Sequence, residues 1–151
     1  MLFNAETYNP PESIGFLLSR AKNAMGVFVD AELQRRQLDL TGAQWVMLMR
    51  IAHGCGRTAA DLCRDNGYDT GSMTRMLDRL EEKGFIHRER STEDRRVVQL
   101  ALTDAGEALV PALREIGAAA LNCHLRDFSQ EEVDVLKGLL QRIVANGSRQ
   151  E

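Results

Sequence analysis

The sequence lacks any long run of apolar residues. Its uninterrupted apolar stretches, such as Trp45–Met49, are short, whereas a membrane-spanning helix needs roughly 18 residues or more. The first six residues have neither the basic start nor the apolar centre of a secretion signal. We therefore expect a cytoplasmic protein with no membrane partner.

Cysteine is also sparse. Cys55, Cys63 and Cys123 are odd in number and widely spaced, which excludes a disulfide framework and favours reduced, buried thiols. His53 lies near Cys55, but the spacing of these residues matches no compact zinc-ligand pattern. We expect no metal site and no cofactor.

The signatures of common enzyme classes are missing as well. The chain has no Gly-rich phosphate loop, no nucleophile elbow and no His-Glu-x-x-His helix. Its acidic residues fall mainly at predicted helix caps and on predicted solvent-facing surfaces. We therefore expect no catalytic activity.

An excess of positive charge is absent too. The formal net charge is -3 and the pI is about 5.7, although DNA-binding domains are often basic. Several arginines nevertheless cluster in the middle of the chain, at Arg75, Arg79, Arg88, Arg90, Arg95 and Arg96. A basic tip on an acidic body can still attract a phosphate-rich partner.

Length and periodicity indicate one mainly α-helical domain over residues 1–151. A chain of 151 residues with 44% hydrophobic content buries one good core. Apolar spacing and cap residues predict helices at about 12–36, 42–52, 58–65, 70–83, 103 to beyond 121, and from 130 onward. Thr41–Gln44 and Ser129–Glu132 have the form of capping boxes. Pro111 predicts a kink in the fifth helix.

The third and fourth predicted helices form a helix-turn-helix. A short helix, a turn at Asn66-Gly67 and an amphipathic helix follow one another, and Met73, Met76, Leu77 and Leu80 mark the buried face of the second. Such a helix fits a major groove about 12 Å wide. The side chains expected to reach bases or phosphates are Ser72, Thr74, Arg75 and Arg79.

A charged β-hairpin follows that helix. Strands are predicted at residues 86–90 and 97–102, and Arg88 and Arg90 lie on the first of them. Arg95 and Arg96 at the tip suit a wing that enters a narrow minor groove. Asp94 would repel phosphate, so we expect it to hold an arginine through a charge-assisted hydrogen bond.

The chain resembles the MarR family of winged-helix regulators. The family has an Asp-x-Arg wing followed by Leu-x-Leu-Thr-x-x-Gly, and the matching residues here are Asp94, Arg96, Leu100, Leu102, Thr103 and Gly106. The family's recognition helix ends in Leu-Glu-x-x-Gly, and the matching residues are Leu80, Glu81 and Gly84. The resemblance implies a winged helix-turn-helix over residues 41–102 and dimerisation helices at 12–36 and 103–146. It also implies that Arg96 enters the minor groove with Asp94 as its partner, and that Ser72, Thr74 and Arg75 touch DNA.

The resemblance further implies a homodimer, which the residues support independently. The first and last two helices carry more apolar surface than one small core covers, including Leu109, Leu113, Ile116, Leu121, Leu136 and Leu140. A two-fold dimer would read palindromic double-stranded DNA with half-sites about 34 to 36 Å apart.

A small-molecule or redox input is also implied by the resemblance. Family pockets often accept small aromatic acids, and here the candidate lining is Arg20, Trp45, Met49 and His53. The alternative is that Trp45 and Met49 are plain core and that Arg20 is a solvated or inter-subunit charge. Oxidant sensors of the family use a cysteine in the first helix, which this chain lacks. Cys55 is the remaining redox candidate.

Two functions of different classes therefore stay open. The first is a dimeric DNA-binding regulator, more simply a repressor than an activator, which a small ligand releases. The second is a winged helix that binds a partner protein, a possibility that the negative net charge keeps open. Steep salt dependence of DNA binding would favour the first.

Overall fold

The computed structural model describes residues 4–92 and 94–147, and it has the mainly α-helical fold with a β-hairpin that the sequence predicted. A 3-10 turn (Pro10–Glu12) precedes the first α-helix. The remaining elements, in chain order, are α1 (Ile14–Arg35), α2 (Gly42–Ala52), α3 (Ala59–Asn66), α4 (Thr70–Glu82), β1 (Ile86–Arg90), β2 (Val98–Leu102), α5 (Asp104–His124) and α6 (Gln130–Gly147).

Side-chain caps fix where the helices begin. The Thr41 hydroxyl accepts from the Gln44 N–H at 3.2 Å, and the Thr41 N–H donates to Gln44 Oε1 at 3.1 Å. Ser129 and Glu132 form the same reciprocal pair ahead of α6. Both capping boxes were predicted. Each satisfies backbone N–H groups that have no partner inside the helix.

The start of the first helix differs from the prediction. The sequence suggested one helix from residue 12, but Ser13 has an extended backbone with ψ 147° and interrupts it. The Ser13 hydroxyl accepts from the Phe16 N–H at 3.2 Å. Serine favours this capping position over a helix interior, so α1 begins at Ile14.

One hydrophobic core joins the helix-turn-helix, the base of the hairpin and α5. Its fully buried side chains include Met47, Leu62, Met73, Leu77, Leu113 and Ile116. The inward face of α4 is therefore as predicted. Leu113 and Ile116 were expected at a dimer face, and that expectation is wrong, because α5 packs this side against α1 and α2 of its own chain.

Other apolar side chains on the first and last helices are uncovered. Those of α1, α5 and α6 that stay exposed include Ile14, Phe16, Leu17, Val27, Leu121, Val135, Leu139, Ile143 and Val144. No residue of α6 is buried. A helix gains most of its stability in water by burying its apolar face, and within the described residues the apolar face of α6 is covered only in part, as at Leu136 and Leu140.

The thiols correct one further expectation. Cys55 and Cys123 are exposed and Cys63 is partly buried, because Cys55 lies in the turn after α2 and Cys123 in the last turn of α5. Within residues 4–92 and 94–147, no group of histidine, cysteine or acidic side chains is arranged to hold a metal ion. No helix in these ranges has the length and apolarity to cross a membrane.

Candidate nucleic-acid interface

Helix α4 begins at a charged cap. Asp69 Oδ1 accepts from the Ser72 backbone N–H at 2.9 Å. Hydrogen bonds from Ser72 hold the pKa of the Asp69 carboxyl below its usual value. A carboxylate at a helix N-terminus also interacts favourably with the helix dipole. The cap thus fixes the first turn of α4, which carries Ser72.

The outer face of α4 is polar and accessible. Thr74, Arg75 and Arg79 are exposed, whereas Ser72 is half-buried. The Thr74 hydroxyl donates to the Thr70 carbonyl at 2.8 Å, and an Arg75 guanidinium nitrogen lies 3.4 Å from the Ser72 hydroxyl. Of the four residues predicted to read DNA, Ser72, Arg75 and Arg79 lie on one side of α4, and Thr74 is exposed on a neighbouring side of the same helix.

A small cavity of about 160 Å³ opens on this surface. Its lining combines the start of α2 with the outer side of α4 and consists of Thr41, Gln44, Ser72, Arg75, Met76 and Arg79. The sequence identified Thr41 and Gln44 only as a helix cap. Their nearness to the arginines depends on how α2 crosses α4, which no local pattern encodes.

The turn after α4 sets the direction of the hairpin. Gly84 has φ 74°, in the left-handed region that favours glycine. The Phe85 N–H donates to the Leu80 carbonyl at 3.0 Å and the Gly84 N–H to the Glu81 carbonyl at 2.9 Å, which closes the helix in a Schellman motif. The Thr103 hydroxyl donates to the Gly84 carbonyl at 2.5 Å, so the end of β2 is tied to the same turn.

The hairpin has the predicted register and a constrained tip. Ile86 pairs with Leu102 and Arg90 with Val98, so β2 begins one residue later than predicted. Ser91 N–H donates to the Val97 carbonyl at 2.9 Å, which closes the loop. Glu93, inside the predicted loop, lies outside the described residues.

Asp94 and Arg96 contact each other at the tip. Asp94 Oδ1 accepts from the Arg96 backbone N–H at 3.0 Å and lies 3.5 Å from Arg96 Nε. The Arg96 side chain is 94% exposed, so its guanidinium projects away from the body while its base is held. The expected pairing is present, and Arg95 beside it is also exposed.

Arg88 does not belong with the other arginines of the hairpin. Its guanidinium donates to Asp78 Oδ1 at 2.7 Å and also to Glu81, both on α4. Partial burial lowers the pKa of Arg88, but the hydrogen bond to Asp78 and the charge of Glu81 outweigh it and raise that pKa. Arg88 is therefore poorly placed for the DNA contact that the sequence predicted, because two nitrogens of its guanidinium already donate to carboxylates of α4. Arg90 is exposed on the same strand.

The four residues predicted to bind an effector make separate contacts in the single chain. Trp45 Nε1 donates to the Leu113 carbonyl at 3.0 Å, and Met49 packs against the core. His53 Nδ1 lies 2.7 Å from the Met49 carbonyl, and the Arg20 guanidinium stacks 5.9 Å from the centre of the Phe16 ring. Neither the cavity on α4 nor an open groove of about 520 Å³ beside residues 7–15 is lined by any of the four. Trp45 and Met49 pack against the core in the single chain, and the effector site stays a prediction.

Known proteins share this arrangement. The model of the MarR family matches residues 40–98. The HTH-type transcriptional regulator SarZ of Staphylococcus haemolyticus (strain JCSC1435) is 32% identical over 108 residues, which is 72% of this chain and 72% of that protein. A crystal structure of MarR has a TM-score of 0.79 and 31% identity, with 94% of this chain and 95% of that chain covered. A cysteine-to-serine mutant of MarR from E.coli, crystallised in complex with operator DNA, has a TM-score of 0.72 and 28% identity, with 86% and 92% covered.

Proposed function

The chain belongs to the MarR family of transcriptional regulators, and from that premise we propose that it binds a palindromic operator in double-stranded DNA as a homodimer. The observation that carries this proposal is the exposed polar face of α4, directly followed by a hairpin whose tip arginine is held by Asp94. These two elements suit a major groove and the minor groove beside it. Residues 41–102 would form the DNA-reading part.

Each candidate residue has a distinct proposed role. Ser72, Thr74 and Arg75 contact base edges, and Arg79 contacts a base or a phosphate. Arg90 and Arg95 contact the phosphate backbone of DNA. Arg96 enters the minor groove, where narrow stretches concentrate negative potential. Asp94 orients Arg96 and does not itself touch DNA.

Dimerisation is proposed for the helices at residues 12–36 and 103–146. The exposed apolar side chains of α1, α5 and α6 support it, because exposed apolar surface on this scale is typical of an interaction site. A two-fold axis would place two α4 helices about 34 Å apart, one helical turn of DNA.

Repression with release by a ligand is the proposed regulation. A bound dimer covers promoter DNA, which blocks transcription without any further activity. A small aromatic acid is the proposed releasing ligand. Its proposed site lies near Arg20, Trp45, Met49 and His53 and includes surfaces of both subunits, since these four residues line neither the cavity on α4 nor the groove beside residues 7–15. Titrating such acids into a preformed DNA complex tests this input.

The first experiment measures binding of the purified protein to DNA upstream of its own gene by fluorescence anisotropy, across a salt series. A fragment selected from the genome by the protein replaces that DNA if the operator lies elsewhere. We expect specific binding whose affinity falls steeply with salt, because phosphate contacts release counterions. Equal, weak binding to selected and scrambled DNA would favour the alternative, a protein-binding winged helix.

Arg96→Ala tests the wing assignment. We expect about tenfold weaker operator binding, because a minor-groove guanidinium contact is lost in each half-site. Arg126→Ala is the matched control, since it removes the same charge from an exposed position after α5. Because Arg126 lies within the proposed dimerisation segment, sedimentation first verifies that this variant has the mass of the wild type. Equal affinities of both variants and the wild type would contradict the role of Arg96.

A further inference from the structure

Arg88 joins the hairpin to the recognition helix α4. It lies on β1, while the two carboxylates that its guanidinium binds, Asp78 and Glu81, lie on α4. Glu81 makes a second contact, because its Oε1 accepts from the Arg88 backbone N–H at 3.2 Å. Three hydrogen bonds thus connect one residue of the wing to one side of α4.

The contact lies at the middle of the hairpin. Arg88 is paired with Leu100, the middle pair of the ladder from Ile86–Leu102 to Arg90–Val98. The Leu100 N–H also points away from the hairpin and donates to the Arg57 carbonyl at 2.8 Å. The two strands are therefore held from opposite sides at the same level, by α4 and by the segment before α3.

A wing of this size needs such attachment. An isolated two-stranded hairpin is marginally stable in water. The loop with Arg95 and Arg96 extends beyond the middle pair, so a small rotation about that pair displaces the tip by a larger amount. Precise placement of the tip relative to α4 is what simultaneous contact with two grooves requires.

Arg88 itself is poorly placed to touch DNA. Its side chain is 29% exposed, compared with 94% for Arg96, and nitrogens of its guanidinium donate to protein carboxylates. If the Arg88 guanidinium turned to bind a DNA phosphate, Asp78 and Glu81 would lose the positive charge that their carboxylates now contact.

We infer that Arg88 is a positioning residue, which holds the wing at a fixed angle to α4 and contributes to DNA binding through Asp78 and Glu81. The inference rests on the proposed DNA-binding function. It assigns the arginine to the ion pair and not to the DNA contacts, and it makes Asp78 and Glu81 part of the reading device although both are acidic.

A double-mutant cycle tests this role by operator binding of the full-length protein. Arg88→Ala should weaken binding about tenfold in the wild-type background, since both half-sites of the dimer lose a held wing. In an Asp78→Asn/Glu81→Gln background the attachment is already weakened, so Arg88→Ala should cost less than about threefold. Arg88→Lys should fall between wild type and Arg88→Ala, because one ammonium cannot reproduce the fork of a guanidinium across two carboxylates.

Arg90→Ala is the matched control. Arg90 lies two residues further along β1, on the same face of the strand, and forms no ion pair with a described residue. Because Arg90 is proposed to contact DNA directly, Arg90→Ala should weaken operator binding by the same factor in the wild type and in the Asp78→Asn/Glu81→Gln background. The active fraction of each variant, from stoichiometric titration, and its thermal unfolding separate lost positioning from lost folding.

A second cycle measures the wing directly. Arg96→Ala should cost about tenfold in the wild type and clearly less in Arg88→Ala, because an unheld wing contributes less binding. If Arg88→Ala weakened binding equally in the wild type and in the Asp78→Asn/Glu81→Gln variant, Arg88 would be a direct DNA contact. That result would overturn the inference while the proposed function stands. No specific DNA binding by the wild type would instead overturn the proposed function, and this inference with it.

Discussion

Gly106 shows how one residue constrains the reading device. It lies in the first turn of α5, and a Cβ atom there would come within 2.1 Å of the Phe85 carbonyl oxygen. That carbonyl accepts the Thr103 N–H at 3.1 Å. The absence of a side chain therefore lets α5 start directly against the turn between α4 and β1.

We predict that Gly106→Ala destabilises the protein by about 1–3 kcal/mol, because the methyl group forces backbone to move. This cost exceeds the helix-propensity gain of about 1 kcal/mol that alanine brings. Gly26→Ala is the control, since no described residue beyond the neighbouring backbone of its own helix lies within 4 Å of the added Cβ, and it should be neutral or stabilising. Urea unfolding at one fixed protein concentration compares them, and equal stabilities would contradict the close approach.

At the scale of single elements, the cap of α4 links folding to pH. The lowered pKa of Asp69 comes from its hydrogen bonds to Ser72, and the pKa of Asp61, the cap partner in α3, is lowered by the Thr58 hydroxyl. A carboxyl group with a lowered pKa in the folded state contributes stability above its ordinary pKa. That contribution is lost as the pH falls through the lowered value.

We predict that Asp69→Asn makes the stability of the protein depend less on pH in the acid range. Asparagine keeps a capping oxygen but does not ionise, so the variant should lose less stability than the wild type between about pH 5 and pH 2. Thermal unfolding followed by circular dichroism checks this. Asp127→Asn removes an exposed carboxylate after α5 and should follow the wild-type profile. Parallel profiles for Asp69→Asn and the wild type would show that the cap carries no pH dependence.

At the scale of the whole molecule, the exposed apolar surface is the feature on which the proposed dimer rests. Helix α6 buries no residue in the described chain, and its Val135, Leu139, Ile143 and Val144 are exposed. Burial of apolar surface yields about 25 cal/mol per Å². The proposed second copy would stabilise α6 by covering this surface.

We predict that Ile143→Glu shifts the protein toward monomer. Ile143 is 45% exposed in one chain, and a carboxylate at a buried interface position is strongly disfavoured. Gln141→Glu adds the same charge two residues away, on the opposite side of the helix, and should leave the dimer intact. Sedimentation measures the mass and anisotropy the operator affinity. A dimer of unchanged stability in Ile143→Glu would exclude α6 from the interface.

Much of this molecule could be predicted from interactions between residues that are close together in the sequence. The cap at Thr41 and the turn at Gly84 depend on residues a few positions apart, and both are present as expected. The apolar spacing of Met73, Leu77 and Leu80 predicted which face of α4 is buried. The pairing of Asp94 with Arg96 was also predictable, since the two residues are two positions apart.

The sequence by itself thus determined the order of the helices and strands, most of the helix caps, the hairpin and the polar face of α4. Only the tertiary structure decided which arginines remain available. Arg88 and Arg96 lie in the same basic stretch, yet the crossing of α4 and β1 brings Asp78 and Glu81 to Arg88 and leaves Arg96 projecting. In the same way, packing buried Leu113 and left Leu139 exposed. These outcomes depend on contacts between elements, which hydrophobic periodicity and cap chemistry within one element do not specify.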